Sequence, residues 1–301
     1  MARILVGTRE GLHVFDAAGR PAGIEHPGRE ITAVAPEGWE LWAILDGRDV
    51  WHTAGVDWWF HVGPLDGLRG NCMADTRAGV IVGAAQALLF RIAGEGLERV
   101  ASFDQVEGRS EWFTPWGGPP DVRSITEDRD TVYVNVHVGG IVRSRDHGAS
   151  WSPTIDIESD VHQVCTGVGR VFAASGRGLE VSDDQGDTWT IRSDGLHKTY
   201  CRSVAVCGDA VLISASAGPR GGRSAVYRGR LEGGPLDRCR EGLPAWFDDN
   251  IDTYCLDALP AGELAAFGTA DGCVFASENQ AATWSMVVSD LPQVLCVRVL
   301  P

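Results

Sequence analysis

The chain has 301 residues, 44% of them hydrophobic and 22% charged, with a net charge of −15. That length fits two ordinary domains or one large all-β domain, and the apolar content is enough for a core while no apolar run approaches the roughly twenty residues of a membrane-spanning helix. The acidic balance argues against a nucleic-acid partner, because a polyanion is held by basic surface that releases counterions.

The chain opens on MARILVGTREG, where the apolar run after Arg3 is far too short for a secretory signal, so a cytoplasmic location is expected. RILVGTREGLHVFD then reads as the middle and outer strands of a sheet that lacks its first strand. Two segments of strand, turn, alternating strand, Gly turn, strand, hairpin and strand follow, from Glu30 and from Asn71. Four clearer copies begin at Asp121, Asp160, Tyr200 and Asn250, and the chain ends on a lone strand, VLCVRVL. Each full copy predicts a four-stranded antiparallel blade. The two terminal fragments complete each other, which gives seven blades of about 43 residues each and leaves no open sheet edge. The expected architecture is therefore one all-β domain over 1–301, a seven-bladed β-propeller closed by pairing Leu295–Leu300 with Arg3–Gly7. The 11 tryptophans suit the wedges between blades. The eight cysteines show no C-x-x-C pair, and several lie in apolar runs, so disulfides and zinc fingers are not expected.

Within the copies a ten-residue motif recurs. SRDHGASWSP from Ser144 and SDDQGDTWTI from Ser182 share serine, aspartate, glycine, hydroxyl and tryptophan at the same offsets, 38 residues apart. Ser277, Thr283 and Trp284 preserve part of it, with Asn279 and Ala281 in place of aspartate and glycine; near Trp58 only Gly55 and the tryptophan remain. The pattern S-x-D-x-G-x-[ST]-W resembles the Asp box of the BNR-repeat propellers, a superfamily that includes sialidases, the sortilin-type receptor domain and photosystem assembly factors. That resemblance implies a box between the third and fourth strands of a blade, on the face opposite the usual ligand site. Asp146 and Asp184 are accordingly read as turn-capping groups, not as metal ligands, since aspartate commonly accepts bonds from turn amides.

A propeller's chemistry is expected at the mouth of the central channel, and function has to be argued from the residues there. The third positions of the aligned blade starts are Thr32, Cys72, Arg123, His162, Arg202, Asp252 and Leu295. The intervening turns add His137, Arg177, Arg220, Arg223 and Asp271, with Tyr200 and Tyr254 beside the ring. Converging arginines suit a carboxylate or phosphate. Here Arg123, Arg202, Arg177, Tyr200, Tyr254 and Trp116 are the candidate ligand contacts, and His162, His137 and Asp252 the candidate acid–base groups. His137 and His162 could instead share a metal with a carboxylate, although no third ligand stands out. The opposing reading is a hydrated ring whose charges neutralise one another. Aromatics in the long connections 104–120 and 241–250, among them Trp112, Phe113, Trp246 and Phe247, are either pocket walls or lids packed on neighbouring blades.

Sialidase activity does not follow from the resemblance. The nearest string to that family's arginine motif is FRIA, Phe90–Ala93, on an expected outer strand, and no glutamate can be assigned to partner Tyr200 or Tyr254. No nucleotide, flavin or haem motif is present, and the cofactor is left unknown. The sequence thus points to a small anionic or polyhydroxylated ligand at the channel mouth, with hydrolase or lyase chemistry. No nucleic-acid or membrane partner is expected. The alternative is a noncatalytic scaffold or assembly factor that holds a protein partner on the same face.

Overall fold

Hydrophobic, β-branched segments punctuated by glycine and aspartate turns give strands throughout, as expected for such patterning. The computed structural model describes residues 2–54, 58–94, 96–115 and 117–301; Trp116 and Gly55, both singled out above, lie outside the described residues. The chain opens with β1 (Arg3–Thr8), β2 (Gly11–Asp16) and β3 (Pro21–Glu25). Next come β4 (Ile31–Glu37), β5 (Glu40–Leu45), β6 (Asp49–Thr53) and β7 (Trp59–Pro64), then β8 (Gly70–Ala74), β9 (Ile81–Ala84), β10 (Leu88–Ala93) and β11 (Gly96–Arg99). The fourth group is β12 (Val122–Asp128), β13 (Thr131–Val136), β14 (Gly140–Ser144) and β15 (Ser152–Pro153). The fifth is β16 (Val161–Gly167), β17 (Arg170–Ser175), β18 (Gly178–Ser182) and β19 (Thr190–Arg192). The sixth is β20 (Tyr200–Cys207), β21 (Ala210–Ser216), β22 (Ala225–Arg230) and β23 (Gly233–Arg238). Finally β24 (Leu256–Ala258), β25 (Ala265–Gly268), β26 (Val274–Ser277) and β27 (Ser285–Val288) precede β28 (Val294–Leu300).

These strands form seven four-stranded antiparallel sheets, a seven-bladed β-propeller. The terminal sheet has the order β28-β1-β2-β3, with Arg3 opposite Leu300 and Val6 opposite Val297. The lone C-terminal strand therefore supplies the first strand that the N-terminus lacks. Second strands such as β13 and β21 are buried along their whole length, which suits their Val, Ile and Ala content. Fourth strands are exposed and several carry proline, Pro21, Pro64, Pro153 and Pro235 among them. Proline offers no N–H to a passing strand and so protects an edge.

The chain packs as two compact units, Met1–Glu30 with Phe172–Val181 and Thr190–Pro301, and Ile31–Val171 with Ser182–Trp189. The first has a core that includes Ile4, Val6, Phe267, Phe275, Trp284 and Val297. In the second, Ala33, Trp42, Ile44, Met73 and Val82 belong to one core cluster. The helical turns among the described residues are short, and none is long and apolar enough to cross a membrane.

A β-bulge recurs in the first strands. Pairing skips one residue at Thr32, at Asn71, at Arg123, within Arg202–Ser203 and at Leu295. A bulge bends a strand and re-aims its side chain, so this is the device that sets the third positions apart. In the third sheet it selects Asn71, because Cys72 pairs with Gly83 and is fully buried. Asp252 also departs from expectation. It lies outside a strand, in the turn before β24, where its backbone oxygen accepts from Cys255 N at 2.9 Å and its Oδ1 from Thr253 N at 2.8 Å.

The repeated ten-residue turns link third to fourth strands, β14 to β15 and β18 to β19. In the second of them, Ser182 Oγ donates to Asp184 Oδ1 at 2.8 Å and accepts from Gly186 N at 2.7 Å. Thr188 donates to Asp184 through both N (2.8 Å) and Oγ1 (2.7 Å). Ser144, Asp146, Gly148 and Ser150 repeat the network, and Ser277, Asn279, Ala281 and Thr283 reproduce most of it with an amide in place of the carboxylate. Hydrogen bonds from the Thr188 and Ser150 side chains, then from their backbones, hold Asp184 and Asp146 down at about 2.

Candidate functional site

The candidate residues fall into separate groups, one in each unit. In the second unit, His137 stands in the turn from β13 to β14, at the end of β14 opposite the Ser144 turn. Its backbone N donates to Asp121 O at 2.9 Å. Val138 follows with φ 55°, rare for a β-branched residue, and a side chain at Gly139 would collide with Val136 and the Trp112 ring. The turn is thus pressed tightly onto its surroundings.

His162 comes from β16, which is locked to its neighbours by three polar links. Asn135 Nδ2 donates to Val161 O (3.1 Å), Val164 N to Ser124 Oγ (2.9 Å), and Thr126 and Thr166 hydroxyls meet at 2.9 Å. These bonds fix the two imidazoles side by side, with ring centres 5.6 Å apart. His137 is 8% exposed and His162 2%. Between them reaches Asp160, whose Oδ1 is 3.4 Å from His137 Nε2 and whose Oδ2 is 3.6 Å from His162 Nε2. Asp160 has φ 51°, a left-handed conformation that aspartate tolerates better than most residues. Each of the three residues offers a donor atom within 4.8 Å of the other two.

Sequence reasoning had not assigned Asp160. The available signal was its position two residues before His162 at the start of a copy, matching Asp121 two residues before Arg123. Arg123 itself sits at the β12 bulge, and its Nε is buried with no hydrogen-bond partner among the described residues.

In the first unit, Arg202 at the β20 bulge donates to Asp252 Oδ1 at 2.9 Å and to the Tyr200 hydroxyl at 3.2 Å. Its guanidinium carbon lies 5.4 Å from the Tyr200 ring centre. Burial works against the Arg202 charge, but Asp252 and Tyr200 outweigh it and raise the pKa. Tyr254, with φ 62°, carries the Arg298 guanidinium over its ring at 4.2 Å. Arg177 is exposed in the turn from β17 to β18, with its N donating to Ser175 Oγ at 3.1 Å.

The long connections pack as lids where they are described. Trp112 is buried against Phe103 and carries Arg109 over its ring at 4.9 Å, while Phe113 is exposed. Phe247 meets Phe267 and Phe275 edge-on, at 5.5 and 5.6 Å. Trp246 is flanked by Arg223 at 4.6 Å and Arg238 at 4.3 Å, with His197 4.6 Å away. Burial, then the charges of Arg223, Arg238 and Lys198, lower the His197 pKa. A second three-residue cluster, Glu37, Glu40 and His52, is more exposed and largely engaged internally: His52 Nε2 meets Glu40 at 2.8 Å and Trp42 Nε1 donates to Glu37 at 2.7 Å. Arg91, in the FRIA string, is exposed on β10.

No family model matches the chain, and no curated protein matches it. Solved structures do. The chain is similar to YCF48 bound to a D1 peptide, at 14% identity over 96% of this chain and 88% of that one, with a TM-score of 0.58. A protein from Lactobacillus plantarum is 15% identical over all of both chains, with a TM-score of 0.65. A GH74 xyloglucanase from Xanthomonas campestris is 16% identical over 96% of this chain, with a TM-score of 0.63, and the chain spans 47% of that enzyme's length. What is shared at this identity is the fold, a β-propeller, and not a function.

Proposed function

We propose that this chain is an Asp-box propeller that binds and transforms a small anionic or polyhydroxylated molecule, with hydrolase or lyase chemistry, at the His137–Asp160–His162 cluster. The observation that carries the reading is the meeting of two buried imidazoles on one carboxylate. A carboxylate so placed stabilises an imidazolium and orients its partner ring, leaving one histidine to take a proton and the other to give one. Arg123, at the β12 bulge and with an Nε that has no hydrogen-bond partner among the described residues, is the proposed anion contact. The eight cysteines, all free thiols, support a reducing, cytoplasmic setting. The test is a thermal-shift and turnover screen of carboxylates, phosphates and sugar acids on the wild type and on His162→Gln. The expected result is a ligand that raises the melting temperature of the wild type and whose effect is lost in the variant.

A second reading is a scaffold that holds a protein partner. It is supported by the likeness to YCF48, solved with a D1 peptide, and by Trp39 (82% exposed) and Trp58 (73% exposed) at one end of the second sheet. Capture of a partner by the wild type and its loss in Trp39→Ala/Trp58→Ala, with no response to small molecules, would favour this reading over the first.

A further inference from the structure

We infer that His137, Asp160 and His162 form a binding site for a divalent transition ion of the zinc class. The inference deepens the proposed function and rests on the same cluster, with the two histidines as ligands in place of proton carriers and the proton work falling to water at the ion; metal binding is measured without any substrate. The geometry is the first argument. In tetrahedral coordination with bonds of about 2.0–2.1 Å, neighbouring ligand atoms stand about 3.4 Å apart. The two imidazole-to-carboxylate separations, 3.4 Å to Oδ1 and 3.6 Å to Oδ2, run to different oxygens of Asp160 and lie near that edge; one donor atom from each residue lies within 4.8 Å of the other two, close enough for small side-chain shifts to bring all three onto one ion.

Donor chemistry is the second argument. Two neutral imidazoles and one carboxylate suit Zn²⁺, Co²⁺ or Fe²⁺ better than Mg²⁺ or Ca²⁺, which prefer all-oxygen shells. Three protein ligands leave a fourth position open to water, the arrangement of catalytic and not structural sites. There a bound ion would make water acidic enough to attack near neutral pH, which fits hydrolysis or hydration–elimination of the proposed substrate class.

Preorganisation is the third. Both ligand-bearing segments are held by hydrogen bonds to neighbouring strands, and both contain a left-handed residue, Asp160 and the β-branched Val138, for which that conformation is unfavourable. Strain of this kind persists only where surrounding structure imposes it, and it gathers at binding sites. At the Glu37–Glu40–His52 cluster the left-handed position between the glutamates is a glycine, Gly38, where that conformation carries no strain.

The test uses the full chain without a histidine tag, stripped with a chelator and titrated with Zn²⁺ by calorimetry and with Co²⁺ by visible absorption. One equivalent of each ion is expected, with the intense Co²⁺ bands of a four-coordinate site. Asp160→Asn and His137→Ala should each weaken binding at least about tenfold, as removal of one of three ligands does, while His52→Ala leaves it unchanged. Asp160 is the least buried of the three, so its variant keeps the test available if a histidine variant does not fold. A wild type that takes up no equivalent, or one whose binding is unaltered in folded Asp160→Asn, or lost in His52→Ala, overturns the inference. Zinc binding without any response to carboxylates, phosphates or sugar acids would keep the metal site and overturn the small-molecule reading; a ligand response without metal would do the reverse.

Discussion

His162 and Arg202 stand at the same position of consecutive copies, yet their surroundings differ in kind. Arg202 is neutralised at hydrogen-bond distance by Asp252 and is further held by Tyr200, while its Nε is buried without a hydrogen-bond partner among the described residues. His162 and His137 instead face Asp160 across gaps of 3.6 and 3.4 Å. One copy position holds a hydrogen-bonded ion pair and the other a carboxylate shared between two imidazoles at longer range. The Arg202 group thus neutralises its charge internally, whereas the His137 group gathers two imidazoles and one carboxylate at the wider spacing of 3.4–3.6 Å. A shared position in a repeat fixes where a side chain starts, and its partners decide what it does.

The strongest way to break this contrast is to remove the scaffold of the Arg202 group. Deleting residues 294–301 takes away β28, with its buried Val294, Cys296, Val297, Val299 and Leu300, and with Arg298 from the Tyr254 ring. Each buried side chain is worth roughly 1.5–3 kcal/mol, so the loss is of the order of a whole domain's stability of about 5–15 kcal/mol. The shortened chain is expected not to fold cooperatively. A full-height melting transition at the wild-type temperature would show that closure through β28 is dispensable.

Next in size is the effect on ligand binding. His162→Gln and Arg123→Ala are expected to cost about 2–5 kcal/mol of affinity for whatever anion the screen finds, with little change in folding. Equal losses of stability and affinity would reduce the His137 group to architecture.

The Arg202–Asp252 pair sharpens the contrast from the other side. Asp252→Ala strands a guanidinium whose side chain is only 16% exposed, but Asp252 itself is 50% exposed and screened by water. A cost of about 1–2 kcal/mol in urea denaturation is expected, with ligand binding intact. Unchanged stability together with lost binding would move the site into the first unit.

The smallest effect concerns the exposed turns. Asp146 and Asp184 have folded values lowered to about 2, below the ordinary value of 3.8. Their contribution is present above the unfolded value and is lost as pH falls from about 4 through about 2. In Asp146→Asn/Asp184→Asn the melting temperature should be slightly lower at neutral pH and should fall less steeply over that acid range. A slope identical to the wild type's would mean that these carboxylates do not hold the turns.

The number of sheets, their four-strand grammar and the partnership of VLCVRVL with RILVGT were all legible, because each copy repeats the same sequence of apolar run and turn. The pairing of His137 with His162 was legible too, since both fall at fixed places in adjacent copies. Other features of the site were not. Asn71 displaced Cys72 at the third-sheet bulge because a one-residue change in pairing swaps which side chain faces the core. Asp252 left its expected strand because its own side chain and backbone cap a turn, an option that competes with pairing. Whether Trp112 and Phe247 line a pocket or pack as lids depended on rings distant in sequence.

By itself, then, the sequence determined periodicity: strands, turns and closure. Those are local or repeated properties, and repetition makes a weak local signal strong. Only the tertiary structure decided which charges meet. Asp160 joins two histidines and Asp252 joins Arg202 because of bulges and left-handed turns, single-residue departures that re-aim a side chain without leaving a trace in the hydrophobic pattern.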